Sequence, residues 1–404
     1  MTVGLVTPYF PDEHTKDSGI ANHCLLLARG IAATGNKVVV LHIRPQYKNE
    51  RDNYQEYKIG ELITVITHKA KLPPAFTKLL KSKWAVIDFA LKVSCMLLTA
   101  KVLNAAIRKH SIDVVETSSY FSLCYFQLYK RNTVPIAVRV STTFSQIMND
   151  HYPFKSRGMD LIARMEIAFI KKSKHLITHA QNHALELEQL FGINHSRFQI
   201  IPHGVTLPAS APAKTVKAGP VQVLFVGRLE YRKGIDVLLA AIPLVLKAKP
   251  NVQFNIIGAD TGDEYQNRFI ADTDLTILQK VTFRGKVSDE HLQQAYRDCD
   301  IFVAPSRYES FGLIFIEAMS YGKPVIGCDA GGMPEIITNN YNGLFAITGD
   351  AQSLADKLIL LIEDAGLRDE LGENALETVR EKFTVTQLAA SSLNYYQKII
   401  SNTW

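Results

Sequence analysis

A strand, a small-residue turn, a helix and a second strand open this 404-residue chain, and the same order begins again after residue 220. Val3-Gly-Leu-Val-Thr7 is an apolar run that meets Pro8, and Asp17-Ser-Gly19-Ile20 forms a loop of small residues. Leu25, Leu26, Ala28 and Ile31 recur at helical spacing, which predicts a helix over 21–34; Gly35-Asn36 closes it before the strand Val38–Leu41. Short runs with apolar centres at 113–115, 136–138 and 175–178 alternate with further helical stretches. Strands without polar alternation, separated by helices, predict a parallel sheet covered on both faces.

Residues 207–220 read LPASAPAKTVKAGP, a stretch without periodicity that predicts a linker. Strands at 221–226, 254–257, 281–283, 300–303 and 324–326 and a helix over 234–248 follow. The expected organisation is α/β, with two doubly wound halves facing across a cleft. One domain is expected over 1–206, a second over 221–385, and a C-terminal helix over 386–404 that is free to cross back to the first. Open sheets of this kind bind ligands at the carboxyl ends of their strands.

Composition excludes several classes. A chain 47% hydrophobic and 21% charged buries sizeable cores and is neither disordered nor a coiled coil. Its five Cys are scattered and odd in number, with no CxxC, which speaks against a disulfide scaffold or structural zinc and suits a reducing compartment. Met1 to Phe10 contain no Lys or Arg, unlike a signal peptide. The most apolar stretch, 84–106, is interrupted by Asp88, Lys92 and Lys101, so no bilayer-spanning segment is expected. A soluble, cytoplasmic protein follows. Residues 1–207 hold 26 basic and 15 acidic side chains against 19 and 24 in the remainder, so the first half is the one suited to an acidic surface.

Two segments carry chemistry. In Ala304-Pro-Ser-Arg-Tyr-Glu309-Ser-Phe-Gly-Leu-Ile-Phe-Ile-Glu317, a strand end leads through a polar loop into a helix beginning near Leu313 and stopped by Gly322. The amides about Phe311, Gly312 and Leu313 form a helix N-terminus suited to phosphate. Glu317 falls among apolar residues of that helix, and a carboxylate buried there needs partners that ligand hydroxyls would supply. In Phe225-Val-Gly227-Arg-Leu-Glu-Tyr-Arg-Lys233-Gly234-Ile-Asp236, Gly227 permits a sharp turn, and Arg228 and Lys233 bring two cations to the same strand ends. No G-x-G-x-x-G follows Thr7, which removes the fingerprint of a dinucleotide oxidoreductase.

With these segments the chain resembles glycosyltransferase family 4, the retaining, nucleotide-sugar-dependent enzymes of GT-B fold. The resemblance runs from the Gly19 loop through Ile201-Pro-His-Gly-Val205, Gly227-Arg-Leu with Lys233-Gly234, and Val281-Thr-Phe-Arg284-Gly285. It continues through the Glu309/Glu317 pair, Gly331-Gly-Met-Pro-Glu335 and Asn342-Gly-Leu344. It implies that Arg228 and Lys233 bind the donor diphosphate and stabilise the departing nucleotide, with Glu309 on the sugar hydroxyls and Glu317 on the ribose. Arg228, Lys233 and Glu309 are the implied catalytic set; Gly19, Gly227, Arg284, Phe311, Gly312, Leu313 and Glu317 complete the donor site. Neither a metal nor a cofactor is expected, because fixed cations neutralise the leaving group.

One departure stands out. Where members carry a His in a V-R-L-H-T pattern, this chain has Val138-Arg-Val-Ser141-Thr142, and His151 lies nearby at a different spacing. Ser141, Thr142 and His151 are therefore the acceptor-side candidates, and His203 is expected in an ordinary turn. The expected acceptor is a glycan, lipid-linked or a small molecule, and the sequence does not identify it. Alternative readings are a nucleotide-sugar epimerase and a degenerate sugar-nucleotide-binding module; nucleic acid is not an expected partner. Lys69, Lys71, Lys78, Lys81 and Lys83 are interleaved with Phe76, Leu79, Leu80 and Trp84, so residues 69–84 are the candidate for peripheral contact with the inner face of a membrane.

Overall fold

The computed structural model describes residues 1–11, 19–46, 52–71, 84–130, 134–151, 157–208, 219–260, 262 and 264–402. The chain divides into two compact units, Met1–Gly204 with Val385–Trp404 and Val205–Thr384. Val205 falls with the second because its N–H donates to Phe383 O at 2.8 Å. Most of the stretch expected as a linker, 209–218, lies outside the described residues.

The first unit is built on eight strands: β1 (Thr2–Thr7), β2 (Lys37–Pro45), β3 (Tyr54–Ile59), β4 (Ile63–Ala70), β5 (Val114–Ser118), β6 (Ile136–Arg139), β7 (His175–Thr178) and β8 (Phe198–Ile200), in the order β3-β4-β2-β1-β5-β6-β7-β8. Its helices are α1 (Gly19–Ala33), α2 (Trp84–His110), α3 (Phe144–His151), α4 (Arg157–Lys172) and α5 (Gln181–Phe191). Alternate residues of β2 enter different cores. Val39, Leu41 and Ile43 pack with Leu103 and Ile107 of α2 and Ile170 of α4. Val38 and Val40 pack with Leu27 and Ile31 of α1. The period-2 geometry of a strand thus explains an unbroken apolar run, since both faces are covered.

The expectation of a parallel sheet is corrected at its edge. β3 pairs antiparallel with β4, because a three-residue turn at 60–62 is too short for a crossover. The polar sequence of β3, YQEYKI, suits that exposed edge. Within α2, Ile87–His110 is long and apolar enough to cross a bilayer, with a mean hydropathy of 1.5. Here its Cys95, Leu103, Ala106 and Ile107 belong to the core of the first unit.

The last helix, which follows the second unit in sequence, packs in the first. Leu388, Leu393 and Tyr396 of this segment join the α1 core, and the Tyr396 hydroxyl donates to Glu116 Oε2 of β5 at 2.6 Å. Glu116 also takes Arg139 of β6, at 2.7 Å to Oε1 and 3.2 Å to Oε2. All three side chains are buried, so each charge and hydroxyl depends on the others for its partner.

The second unit carries β9 (Val221–Val226), β10 (Val252–Ile257), β11 (Val281–Gly285), β12 (Ile301–Val303), β13 (Val325–Cys328) and β14 (Gly343–Ala346), all parallel in the order β11-β10-β9-β12-β13-β14. The helices are α6 (Ile235–Ala248), α7 (Tyr265–Asp272), α8 (Leu275–Leu278), α9 (Asp289–Asp298), α10 (Leu313–Ser320), α11 (Ala351–Glu363) and α12 (Ala365–Lys382); the returning helix is α13 (Val385–Ser401). The chain leaves β9 toward one side of the sheet and resumes at β12 on the other. The carboxyl ends of β9 and β12 therefore flank the topological switch point, where loops diverge and leave room for a ligand.

The seating of α13 is tested at Gly30 of α1. A Cβ there would lie 2.8 Å from Val385 Cγ1 and 3.0 Å from Ala389 Cβ. Gly30→Val should destabilise the protein by about 1–3 kcal/mol through overpacking. An unchanged urea unfolding midpoint would refute the contact.

Candidate active site

Both loops that carry charge leave the switch point of the second unit. After β9 the backbone turns through Gly227 and Arg228, tightens into a short 3₁₀ turn over Tyr231–Lys233, and enters α6 through Gly234. Gly234 has φ of +66°, and a Cβ there would stand 1.9 Å from the Pro305 carbonyl oxygen. No other residue fits so close beneath the loop that leaves β12. The two loops are tied as well as pressed together. Arg307 N–H donates to Arg232 O at 2.8 Å, and the Arg307 guanidinium grips Asp236 with two bonds of 2.7 Å while lying 3.6 Å over the Tyr231 ring. A bidentate pair stacked on an aromatic fixes both loops in one arrangement.

Glu309 stands where these loops meet and is 8% exposed. Its Oε1 pairs with the Lys233 ammonium and accepts from Ser306 Oγ at 3.1 Å; Arg232 approaches Oε2 at 3.4 Å. Glu230 takes Arg232 at 2.9 Å and Arg228 at 3.1 Å. Burial pushes the Glu309 carboxyl up, but the charges of Lys233 and Arg232 outweigh it and hold the group below the usual carboxylate range. Burial, with Arg232 adding like charge, lowers the Lys233 ammonium. Three cations thus surround two carboxylates and leave a positive excess beside the N-terminus of α10. A diphosphate answers both features.

Glu317 lies just over one turn into α10, and its partner is a protein hydroxyl: Tyr296 of α9 donates to Oε2 at 2.9 Å. Burial pushes this carboxyl up to about 7, against the pull of the Tyr296 bond and of Lys233. The site therefore holds a buried carboxyl, Glu309, held below the usual carboxylate range, and a half-buried one, Glu317, pushed up to about 7.

The structure brings Gly227, Arg228, Lys233, Glu309, Phe311, Gly312, Leu313 and Glu317 onto these two loops and the helix that follows. Phe311 is buried, and its ring packs against Phe383 with a centroid distance of 5.8 Å. Arg284 is placed otherwise: its guanidinium donates to Asn255 Oδ1 at 3.0 and 3.2 Å along the sheet. Gly19 begins α1 in the first unit and is exposed, and 12–18 before it lie outside the described residues. Ser141 and Thr142 follow β6 and are half-buried; His151 ends α3, its side chain outside those described. Sequence reasoning missed Arg232, Tyr296, Ser306 and the Arg307–Asp236 pair. Arg232 adjoins Lys233, and adjacency to a predicted cation was its one available signal.

His203 is corrected. It is 7% exposed, its Nδ1 is 2.9 Å from that of His23, and its ring stacks on His179, itself stacked on His183. Burial lowers His183 to about 3 and, with Arg139 nearby, holds His23 and His203 well below the usual histidine range. These are neutral core rings rather than turn residues. Among the described residues no group of three or more His, Cys, Asp or Glu is arranged to hold a metal.

The two sheets define a protein built of two Rossmann-like units, the fold of the GT-B class. A family model described as Glycosyltransferase Family 4 matches residues 18–207, and one described as Glycosyl transferases group 1 matches 209–378. The chain belongs to the family 4-like glycosyltransferases. Glycogen synthase of Mycobacterium tuberculosis is 25% identical over 395 residues, 94% of this chain and 90% of that protein. Shorter matches to other curated glycosyltransferases reach 29–34% identity and span 41–60% of those relatives' length. Among solved structures, sucrose-phosphate synthase of Thermosynechococcus elongatus superposes with a TM-score of 0.75 at 20% identity over 99% of both chains. Anabaena HepE, solved with UDP and glucose, does so with 0.68 at 18% identity, over 98% of this chain and 99% of that one.

The buried pair is open to a double-mutant test. Lys233→Met strands the Glu309 carboxylate and should cost about 3 kcal/mol, the lower end for a broken buried pair because Arg232 remains. Adding Glu309→Gln should recover part of that loss. Strictly additive effects in chemical denaturation would show that the two side chains are not coupled.

Proposed function

We propose that the enzyme is a retaining hexosyltransferase that moves a sugar from a nucleoside diphosphate sugar to an acceptor hydroxyl. The observation that carries this reading is the positive excess of Arg228, Arg232 and Lys233 over Glu230 and Glu309, beside the N-terminus of α10 and the half-buried carboxyl of Glu317. Negative charge accumulates on the nucleoside diphosphate as the glycosidic bond breaks, and preorganised cations meet it without reorganisation. Lys233 and Arg228 neutralise the departing diphosphate, the amides of 311–313 meet phosphate or sugar, Glu309 accepts from sugar hydroxyls, and Glu317 accepts from the ribose. HepE, which shares the fold, was solved with UDP and glucose, and that supports a nucleotide-sugar donor here. Arg228, Lys233, Glu309 and Glu317 are all present, which favours catalysis over a degenerate binding module.

The acceptor side rests with the first unit and its Ser141–Thr142 segment. Peripheral contact with an anionic membrane is the companion proposal. The segment 69–84 falls largely outside the described residues, but Lys69 and Lys71 share a groove with Lys101 and Leu97 of α2, and Leu97 is 56% exposed. Cations beside apolar side chains suit a headgroup region.

Donor identity is settled by nucleotide release from UDP-, GDP- and ADP-sugars, and stereochemistry by NMR of the first product formed. An α-linked donor should give an α-glycoside, and turnover should survive a chelator; a β product or complete loss with EDTA overturns the mechanism. Arg228→Ala should lower turnover by about 10²–10³-fold. Its side chain is 55% exposed, so stability should hardly change, and near wild-type turnover would remove Arg228 from the diphosphate site. Sedimentation with anionic and neutral liposomes decides the membrane contact: binding to anionic vesicles alone, weakened by salt, is expected, and none to either refutes it.

A further inference from the structure

Tyr296 is 2% exposed, and its ring is held from both neighbouring elements. Tyr321, at the end of α10, stacks on it at 5.8 Å with planes 14° apart, and Phe302 of β12 packs at 5.8 Å. The guanidinium of Arg297 covers Tyr321 at 5.6 Å. An aromatic clamped this way has one direction in which to aim its hydroxyl, and it aims at Glu317 Oε2.

We propose that Tyr296 is a positioning residue for the donor: its hydroxyl keeps the Glu317 carboxyl in the anionic, correctly turned form that accepts both hydroxyls of a ribose, leaving Oε1 to the ligand. This rests on the donor reading above. A vicinal diol presents two donors, and Oε1 of the carboxylate has two lone pairs to accept them while Oε2 takes Tyr296; a proton on Oε1 would use one of those lone pairs. The groups facing this carboxyl are Tyr296 and Asp289 from α9, Lys233 from the β9–α6 turn and Tyr321 beyond α10. Burial raises it, Tyr296 and Lys233 lower it, and Asp289 raises it. Nucleotide affinity therefore rises with pH as Glu317 ionises and levels off above. Without the tyrosine hydroxyl, Glu317 ionises at higher pH, so the rising limb moves up.

The test is calorimetric binding of UDP, ADP and GDP from about pH 5.5 to about pH 9 for wild type, Tyr296→Phe and Glu317→Gln, with melting temperatures recorded. Wild-type affinity should climb through about pH 7 and then level off. Tyr296→Phe should bind roughly tenfold more weakly near pH 6.5, the factor one unit of pKa represents, and converge on wild type near pH 9. Glu317→Gln should bind weakly and without this pH dependence. A Tyr296→Phe profile that overlays wild type, with only a lowered melting temperature, makes Tyr296 a packing residue and overturns the proposal. Wild-type affinity in Glu317→Gln, or no binding of any of the three nucleotides, instead overturns the donor reading on which it rests.

Discussion

Everything around the switch point of the second unit depends on one buried carboxylate. Glu309 is taken out of water between two loops, and such a charge is tolerated only if its partners are fixed. Lys233 and Arg232 come from one loop and Ser306 from the other, so satisfying the charge is the same act as joining the loops. The Arg307–Asp236 pair and the close passage of Gly234 beneath Pro305 repeat that join at two further points. The cations are therefore held in place by the protein's own carboxylates and loops.

The second carboxyl sits eight residues on, in an environment of the opposite kind. Glu309 is held below the usual range by two cations, whereas Glu317, with a hydroxyl as its direct partner, rises to about 7. Groups of one chemical type whose surroundings drive them apart serve different tasks. Here one is held as an anion that ties the loops together, and the other is raised toward neutrality by burial, with one hydroxyl as its direct partner.

The first unit shows a different economy of charge. Arg139, Glu116 and Tyr396 satisfy one another across β5, β6 and α13, which locks the last helix of the chain onto its first sheet. Close by, His183, His179 and His203 stack in turn, and His23 meets His203 edge-on. Burial and the fixed charge of Arg139 keep His23 and His203 neutral, so the group packs as aromatic rings rather than as cations.

The sequence by itself determined the two βα halves, because a strand covered on both faces must be apolar throughout, and runs such as Val221–Val226 show it without reference to anything distant. The strands β3, β4, β8 and β14 and the antiparallel edge were not read from the sequence: the solvated edge strand β3 is polar and reads as loop, and the edge strands β8 and β14 run for only three and four residues. Gly227, Arg228, Lys233, Glu309 and Glu317 were legible because each sits at a strand end or helix start whose local chemistry is complete within a dozen residues. What only the tertiary structure decided were partnerships across long separations. Arg232 meets Glu309 at 77 positions' distance and Tyr296 meets Glu317 at 21. His203 meets His23 at 180, and Tyr396 meets Glu116 at 280. Local periodicity records which face of an element is buried, but the state of a buried charge depends on what stands opposite it, and that is set only when the sheets close.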